Sequence, residues 1–110
     1  MEAGLSTMIF VFVTCVDEAE AARIAEMVVE QKLAACAHIM PPHRSVYRWQ
    51  GKVEQAAEVN LLIKTRADLF EDVRSAVAAA HSYDVPCIVS WPVTDAHAPF
   101  LDWVQAETRD

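Results

Sequence analysis

The sequence predicts an α+β fold, on three observations. The run Met8-Ile9-Phe10-Val11-Phe12-Val13 is continuously apolar and rich in β-branched and aromatic residues. Such a run reads as a strand covered on both faces, central in its sheet. Two later stretches carry apolar residues at helical spacing, each opened by an acidic capping signal. Between them, Glu58 to Thr65 alternates in the manner of a strand.

Asp17-Glu18-Ala19-Glu20 has the form of a capping box and opens a helix to about Lys32. Its apolar stripe is Ala21, Ile24, Ala25 and Val28, and its wet face is assigned Glu20, Arg23, Glu26 and Glu30. Leu33 to Met40 is apolar and compatible with helix or strand, and it is assigned as a strand that returns to the sheet. Pro41-Pro42 interrupts it, since proline supplies no ladder donor. The strand resumes through Ser45-Val46-Tyr47-Arg48-Trp49-Gln50, giving a kinked strand from about Ala35 to Gln50 that turns at Gly51-Lys52. Val53 to Ala57 is a polar arm, and Glu58 to Thr65 completes a long hairpin.

Thr65-Arg66-Ala67-Asp68 starts a second helix, with Leu69, Val73, Ala76, Val77 and Ala80 on its inner face. His81 to Pro86 is a loop, Cys87 to Trp91 a fourth strand, and Pro99 fits the first turn of a last short helix. The ends, residues 1–7 and 107–110, are expected to be flexible. The order is that of a ferredoxin-like βαββαβ sandwich with a long projecting β2-β3 hairpin and a short C-terminal helix. Both main helices then lie on one sheet face. The bare face and the overlong hairpin each point to association with further copies of the chain.

At 110 residues the chain is expected to be a single domain, long enough to bury a core. The formal net charge of −7 argues against nucleic-acid binding. Three cysteines do not make a disulfide scaffold, and a reducing cytoplasm fits them. Met1 to Thr7 has no basic segment of a signal peptide, and no apolar run is long enough to span a bilayer.

No phosphate-binding glycine loop, nucleophile elbow or zinc helix motif is present, and no acid–base constellation emerges from spacing, so no enzymatic activity is expected. Cys36 and His38 would share a strand face and could hold a soft metal, but so short a pair is a weak signal and a buried structural cysteine is the favoured reading of it. His81 and Cys87 flank one loop, and Cys15 ends the strand expected beside it. The three are candidate metal ligands, against the alternative of a helix-capping histidine and two inert thiols. Tyr47, Trp49, Lys64 and Tyr83 are candidates for a ligand-binding cleft between subunits, where a cation beside aromatic rings would take an anion. His43 and His97 read as solvated loop imidazoles.

Val13-Thr14-Cys15-Val16-Asp17-Glu18, Lys32-Leu33-Ala34-Ala35-Cys36, Ser45 to Lys52, Ile63-Lys64-Thr65, His81 to Pro86 and Leu101-Asp102-Trp103 together resemble the CutA family of divalent-cation-tolerance proteins. The resemblance runs from about Ile9 to Val104, and its Tyr-x-Trp-x-Gly-Lys stretch is the most specific part. It implies a tight homotrimer of ferredoxin-like subunits, similar in architecture to the PII signalling proteins. It also implies a link to copper or other divalent metal ions, none of them required for folding, and no enzymatic activity. A PII-like regulator binding a small anionic ligand between subunits is the alternative. The chain departs from the family pattern at His38, Ser82, Asp84 and Cys87. Cys87 stands where glutamate is usual, exchanging a hard oxygen ligand for a soft sulfur one.

Overall fold

The computed structural model describes residues 8–109. Four strands form one sheet in the order β2-β3-β1-β4, all neighbours antiparallel. They are β1 (Met8–Cys15), β2 (Cys36–Trp49), β3 (Lys52–Arg66) and β4 (Ile88–Pro92), with helices α1 (Glu18–Glu30), α2 (Phe70–Ala80) and α3 (Ala98–Ala106). The expected element order is present, with a 3-10 turn, Ala67–Leu69, leading into α2. The expectation for residues 1–7 lies outside the described residues.

The strand period of two sorts β1 onto two faces. Ile9, Val11, Val13 and Cys15 are buried against the helices. Phe10, Phe12 and Thr14 point the other way and are half-buried. The predicted stripe of α1 holds in full, since Ala21, Ile24, Ala25 and Val28 are all buried. Glu20 is the exception to the predicted wet face: it is only 2% exposed. Asp17 caps α1 by accepting from the Glu20 N–H at 2.9 Å. The Glu20 side chain turns back beyond the cap and accepts from the Val16 N–H at 2.9 Å. The helix ends with the N–H of Leu33 bonded to the Val28 carbonyl and that of Lys32 to the Val29 carbonyl, a Schellman closure. Lys32 occupies its left-handed position, with φ of 59°.

The hairpin is longer and more regular than the sequence indicated. β3 is one continuous strand, so the stretch assigned as a polar arm is paired throughout with β2, from Trp49–Lys52 to Arg44–Ala57. The turn is centred on Gln50 and Gly51, both at positive φ, as a two-residue hairpin loop requires. The prolines make a register shift between Ile39 and Pro42 without ending the strand. Edge position explains this, because an edge strand has one set of backbone groups free of the ladder. β1 covers β3 only from Val59 to Arg66, so the outer half of the hairpin has no third strand beside it.

α3 covers one end of the face that α1 and α2 leave bare. Val104 is buried with Met8 and Ala35, joined by Phe100 and Leu101. The tail beyond it is bonded to the body of the fold through Arg109. Thr108 is 3% exposed and donates to the Val104 carbonyl at 2.9 Å. The Arg109 N–H donates to the Lys32 carbonyl, and its guanidinium to the Gln31 carbonyl at 3.0 Å. The carbonyls left open at the end of α1 hold the tail, a tertiary contact that composition does not signal.

Thr65 ties α1 to the sheet. It is fully buried, and its hydroxyl donates to the Leu33 carbonyl. Thr65→Val keeps the shape but leaves that carbonyl without its donor, which should cost about 1–3 kcal/mol. Urea denaturation should show a lower midpoint with an unchanged slope; an unchanged midpoint would mean that water replaces the hydroxyl.

Candidate functional site

Two features lie where β1 and β4 meet the loop after α2. The first is a buried polar cluster. β1 places Cys15 on the helix side, the first turn of α1 supplies Glu20, and the loop after α2 supplies His81. A thiol sulfur, a carboxylate oxygen and an imidazole nitrogen from these residues lie within 4.8 Å of one another. The His81 side chain is fully buried. Its Nδ1 accepts from the Tyr83 N–H at 3.0 Å, so the proton is on Nε2, which donates to the Thr14 carbonyl at 2.8 Å. Both nitrogens are therefore engaged.

Glu20 anchors this cluster. One oxygen holds the Val16 N–H and the other accepts from the Ser82 N–H at 2.7 Å. Burial acts to raise its pKa, but these N–H donors and the nearby His81 outweigh it and hold the carboxyl below its usual value. Burial, reinforced by the Glu20 carboxylate, pushes the Cys15 thiol up to about 12. Cys15 is thus a protonated, inert thiol at neutral pH in the absence of a cation.

The second feature is a cavity of about 710 Å³ between the outer hairpin and the 82–87 loop, a size that suits a small ligand. Tyr47, Trp49 and Tyr83 line it, along with Glu54, Glu58 and Asp84. Tyr83 donates its hydroxyl to Glu58 at 2.6 Å. Burial first, and that carboxylate second, raise the Tyr83 pKa.

The predicted site residues divide between these places. Tyr47, Trp49 and Tyr83 come together at the cavity, but Lys64 does not line it. Six positions beyond Glu58 on β3 puts Lys64 about 20 Å away along the strand. Its Nζ sits 5.2 Å from the Phe10 ring and 5.5 Å from the Phe100 ring. Cys15 and His81 do converge, but Cys87 is not with them. The Thr14 N–H donates to the Cys87 carbonyl, so Cys87 follows Thr14 in register and faces the cavity, opposite in direction to Cys15. Adjacent strand positions point to opposite faces, which separates the two thiols. Glu20 takes the place proposed for Cys87. Sequence reasoning placed it among the helix-surface charges; its position three residues after the Asp17 cap was the available signal, since that residue reaches back over the helix start.

Comparison with known proteins adds the following. The family described as CutA1 divalent ion tolerance protein matches residues 9–107. The divalent-cation tolerance protein CutA of Archaeoglobus fulgidus is 43% identical over 95 residues, covering 86% of this chain and 92% of that protein. Protein CutA of Homo sapiens is 40% identical, covering 89% of this chain. The chain spans only 55% of the length of the human relative and 62% of that of the chloroplastic relative from Arabidopsis thaliana. The crystal structure of CutA1 from Oryza sativa superposes with a TM-score of 0.93 at 37% identity, covering 98% of this chain and 99% of that one. A structure from Archaeoglobus fulgidus titled as a periplasmic divalent cation tolerance protein gives 0.88 at 41% identity, over 91% and 97% of the two chains.

The buried and exposed thiols should differ in reactivity. With iodoacetamide at neutral pH, Cys87, which is exposed, should be alkylated well before Cys15, which should react only on unfolding. Peptide mass mapping of partially labelled protein checks this. Equal labelling of the two in the native protein would contradict the burial of Cys15.

Proposed function

The chain belongs to the CutA1 divalent ion tolerance family, and from that premise we propose that it is a homotrimeric, metal-associated binding protein rather than an enzyme. The observation that carries the reading is the convergence of the Cys15 sulfur, a Glu20 oxygen and a His81 nitrogen within 4.8 Å. Thiolate, carboxylate and imidazole are the donors that copper and zinc take. The fit has conditions. The ion must displace the Cys15 proton, and His81 must release its Nε2 proton and its bond to the Thr14 carbonyl. The three donors must also close by about 1 Å, because bonds of about 2.0–2.3 Å put ligand atoms under about 4 Å apart. Glu20 has a double part, since its oxygens also hold the loop that carries His81.

A homotrimer is supported by surfaces that one chain leaves uncovered. Val46 and Val53 on the hairpin are 62% and 64% exposed, and Trp49 at its tip is 43% exposed. Val89 and Trp91 lie exposed on the sheet face away from α1 and α2. The open strand edges of the outer hairpin suit pairing with another copy. No helix among the described residues is long and apolar enough to cross a membrane, and the three cysteines are unpaired, which suits the reducing cytoplasm. Binding of a small anion in the cavity is the weaker reading. Glu54, Glu58 and Asp84 line it and would repel an anion, and Lys64 is elsewhere.

Copper titration followed by calorimetry should give one site per chain from this cluster that Cys15→Ser and His81→Ala each abolish and Cys87→Ser leaves in place. Equal binding in the wild type and in Cys15→Ser and His81→Ala would remove the cluster from any metal role. Sedimentation equilibrium at micromolar concentration should give the mass of three chains. Trp49→Ala should weaken assembly by about 2 kcal/mol, and a stable monomer for the unmodified chain would refute the trimer.

A further inference from the structure

Cys36 and His38 belong neither to the buried cluster nor to the cavity. They are two apart on β2, and their cross-strand partners are Lys64 and Leu62. Both therefore lie on the sheet face away from α1 and α2. The Cys36 sulfur and the His38 Nε2 are 3.7 Å apart. Bonds of about 2.3 Å to sulfur and about 2.0 Å to nitrogen place two donors about 4.3 Å apart when they lie on opposite sides of a two-coordinate ion, so this pair must open by about 0.6 Å. A side-chain adjustment of that size brings the pair to the spacing of two ligands of one ion. The ladder beneath both residues holds that spacing.

The contrast with His81 is informative. His81 is buried and has both nitrogens committed to the backbone. His38 is exposed, and among the described residues its Nε2 meets only the Cys36 sulfur. In the single chain this pair is open to solvent, and an ion there displaces no backbone hydrogen bond.

The neighbouring charge selects the ion. Lys64 is the direct partner of Cys36 across the ladder. Burial pushes the Cys36 thiol up, and the Lys64 ammonium acts against it. A thiolate with a monovalent cation is neutral overall, whereas a divalent cation leaves a net positive charge beside the ammonium. Sulfur and imidazole donors beside a fixed cation favour a soft monovalent ion.

We propose that Cys36 and His38 form a two-donor site for Cu(I), separate from the Cys15–Glu20–His81 cluster. Binding forms one Cu–Sγ and one Cu–Nε2 bond and releases the thiol proton to solvent; the metal arrives as Cu(I) and no electron is transferred.

The test uses the assembled protein under anaerobic conditions, with Cu(I) supplied from a coloured Cu(I)-selective chelator. In the Cys15→Ser/Cys87→Ser background Cys36 is the sole thiol, and the buried cluster has lost its sulfur. That protein should still withdraw one Cu(I) per chain from the chelator. Adding Cys36→Ser should abolish the uptake. Adding His38→Asn, which keeps the thiol, should weaken it by about a hundredfold, since even residues that only orient a ligand change metal affinity about tenfold to hundredfold. No uptake by the folded background protein, or equal affinity with and without His38→Asn, would overturn the site. Should the double-serine background not fold, X-ray absorption on the otherwise unmodified chain decides: His38→Asn should remove an imidazole scatterer from bound Cu(I), and unchanged spectra would refute the proposal. A failure of the buried cluster is visible separately, because it leaves the uptake by the background protein intact.

Discussion

The two-residue period of β1, held between β3 and β4, is the constraint from which the placement of the chemistry follows. Eight residues alternate between a helix-covered face and an open one. Cys15 falls on the first and Thr14 on the second, and the register with β4 then sends Cys87 with Thr14. Two thiols that approach the same corner of the sheet are kept apart by one step of the pleat. The same alternation sets Phe10 beside Lys64, so a lysine from a nominally polar strand position becomes packed between aromatic rings. Its ammonium lies against both the Phe10 and Phe100 rings, a cation–π arrangement.

Glu20 shows how a single buried charge joins elements that lie apart in sequence. It begins α1, terminates β1 by holding the Val16 N–H, and fixes the loop after α2 through the Ser82 N–H. A buried carboxylate is costly unless its lone pairs are filled, and here they are filled by backbone donors from two segments. The interaction that keeps this carboxylate ionised is also the one that orients His81. Support of the fold and the placing of His81 are therefore coupled at this corner, whereas at Cys36 and His38 the strand ladder supplies the support.

The hairpin poses the opposite problem. Its inner half is covered by β1 and the helices, and its outer half has strand edges and apolar side chains in solvent. The molecule measures 46 × 25 × 23 Å along its principal axes, an elongation consistent with this one arm. A lone two-stranded ribbon is marginally stable in water, and the trimer proposed above would supply cover for the pairing out to Trp49 and Lys52.

The sequence by itself determined the element order, the helix-facing stripe of α1, the kinked second strand and the family resemblance, because each rests on local periodicity, on proline or on a contiguous motif. It also brought Tyr47, Trp49 and Tyr83 into one group, and Cys15 and His81 into another. Only the tertiary structure decided what depends on register and on distant backbone groups. The continuity of β3 through Val53 to Ala57 comes from ladder bonds to β2, which override weak local preference. The burial of Glu20 comes with N–H donors at Val16 and Ser82, and the tethering of Arg109 comes from the open carbonyls at the end of α1. Lys64 and Cys87 lie away from the expected groupings for two reasons: Lys64 shares the face of Glu58 but sits six positions further along β3, and Cys87 is one pleat step out of phase with Cys15, which reverses its direction.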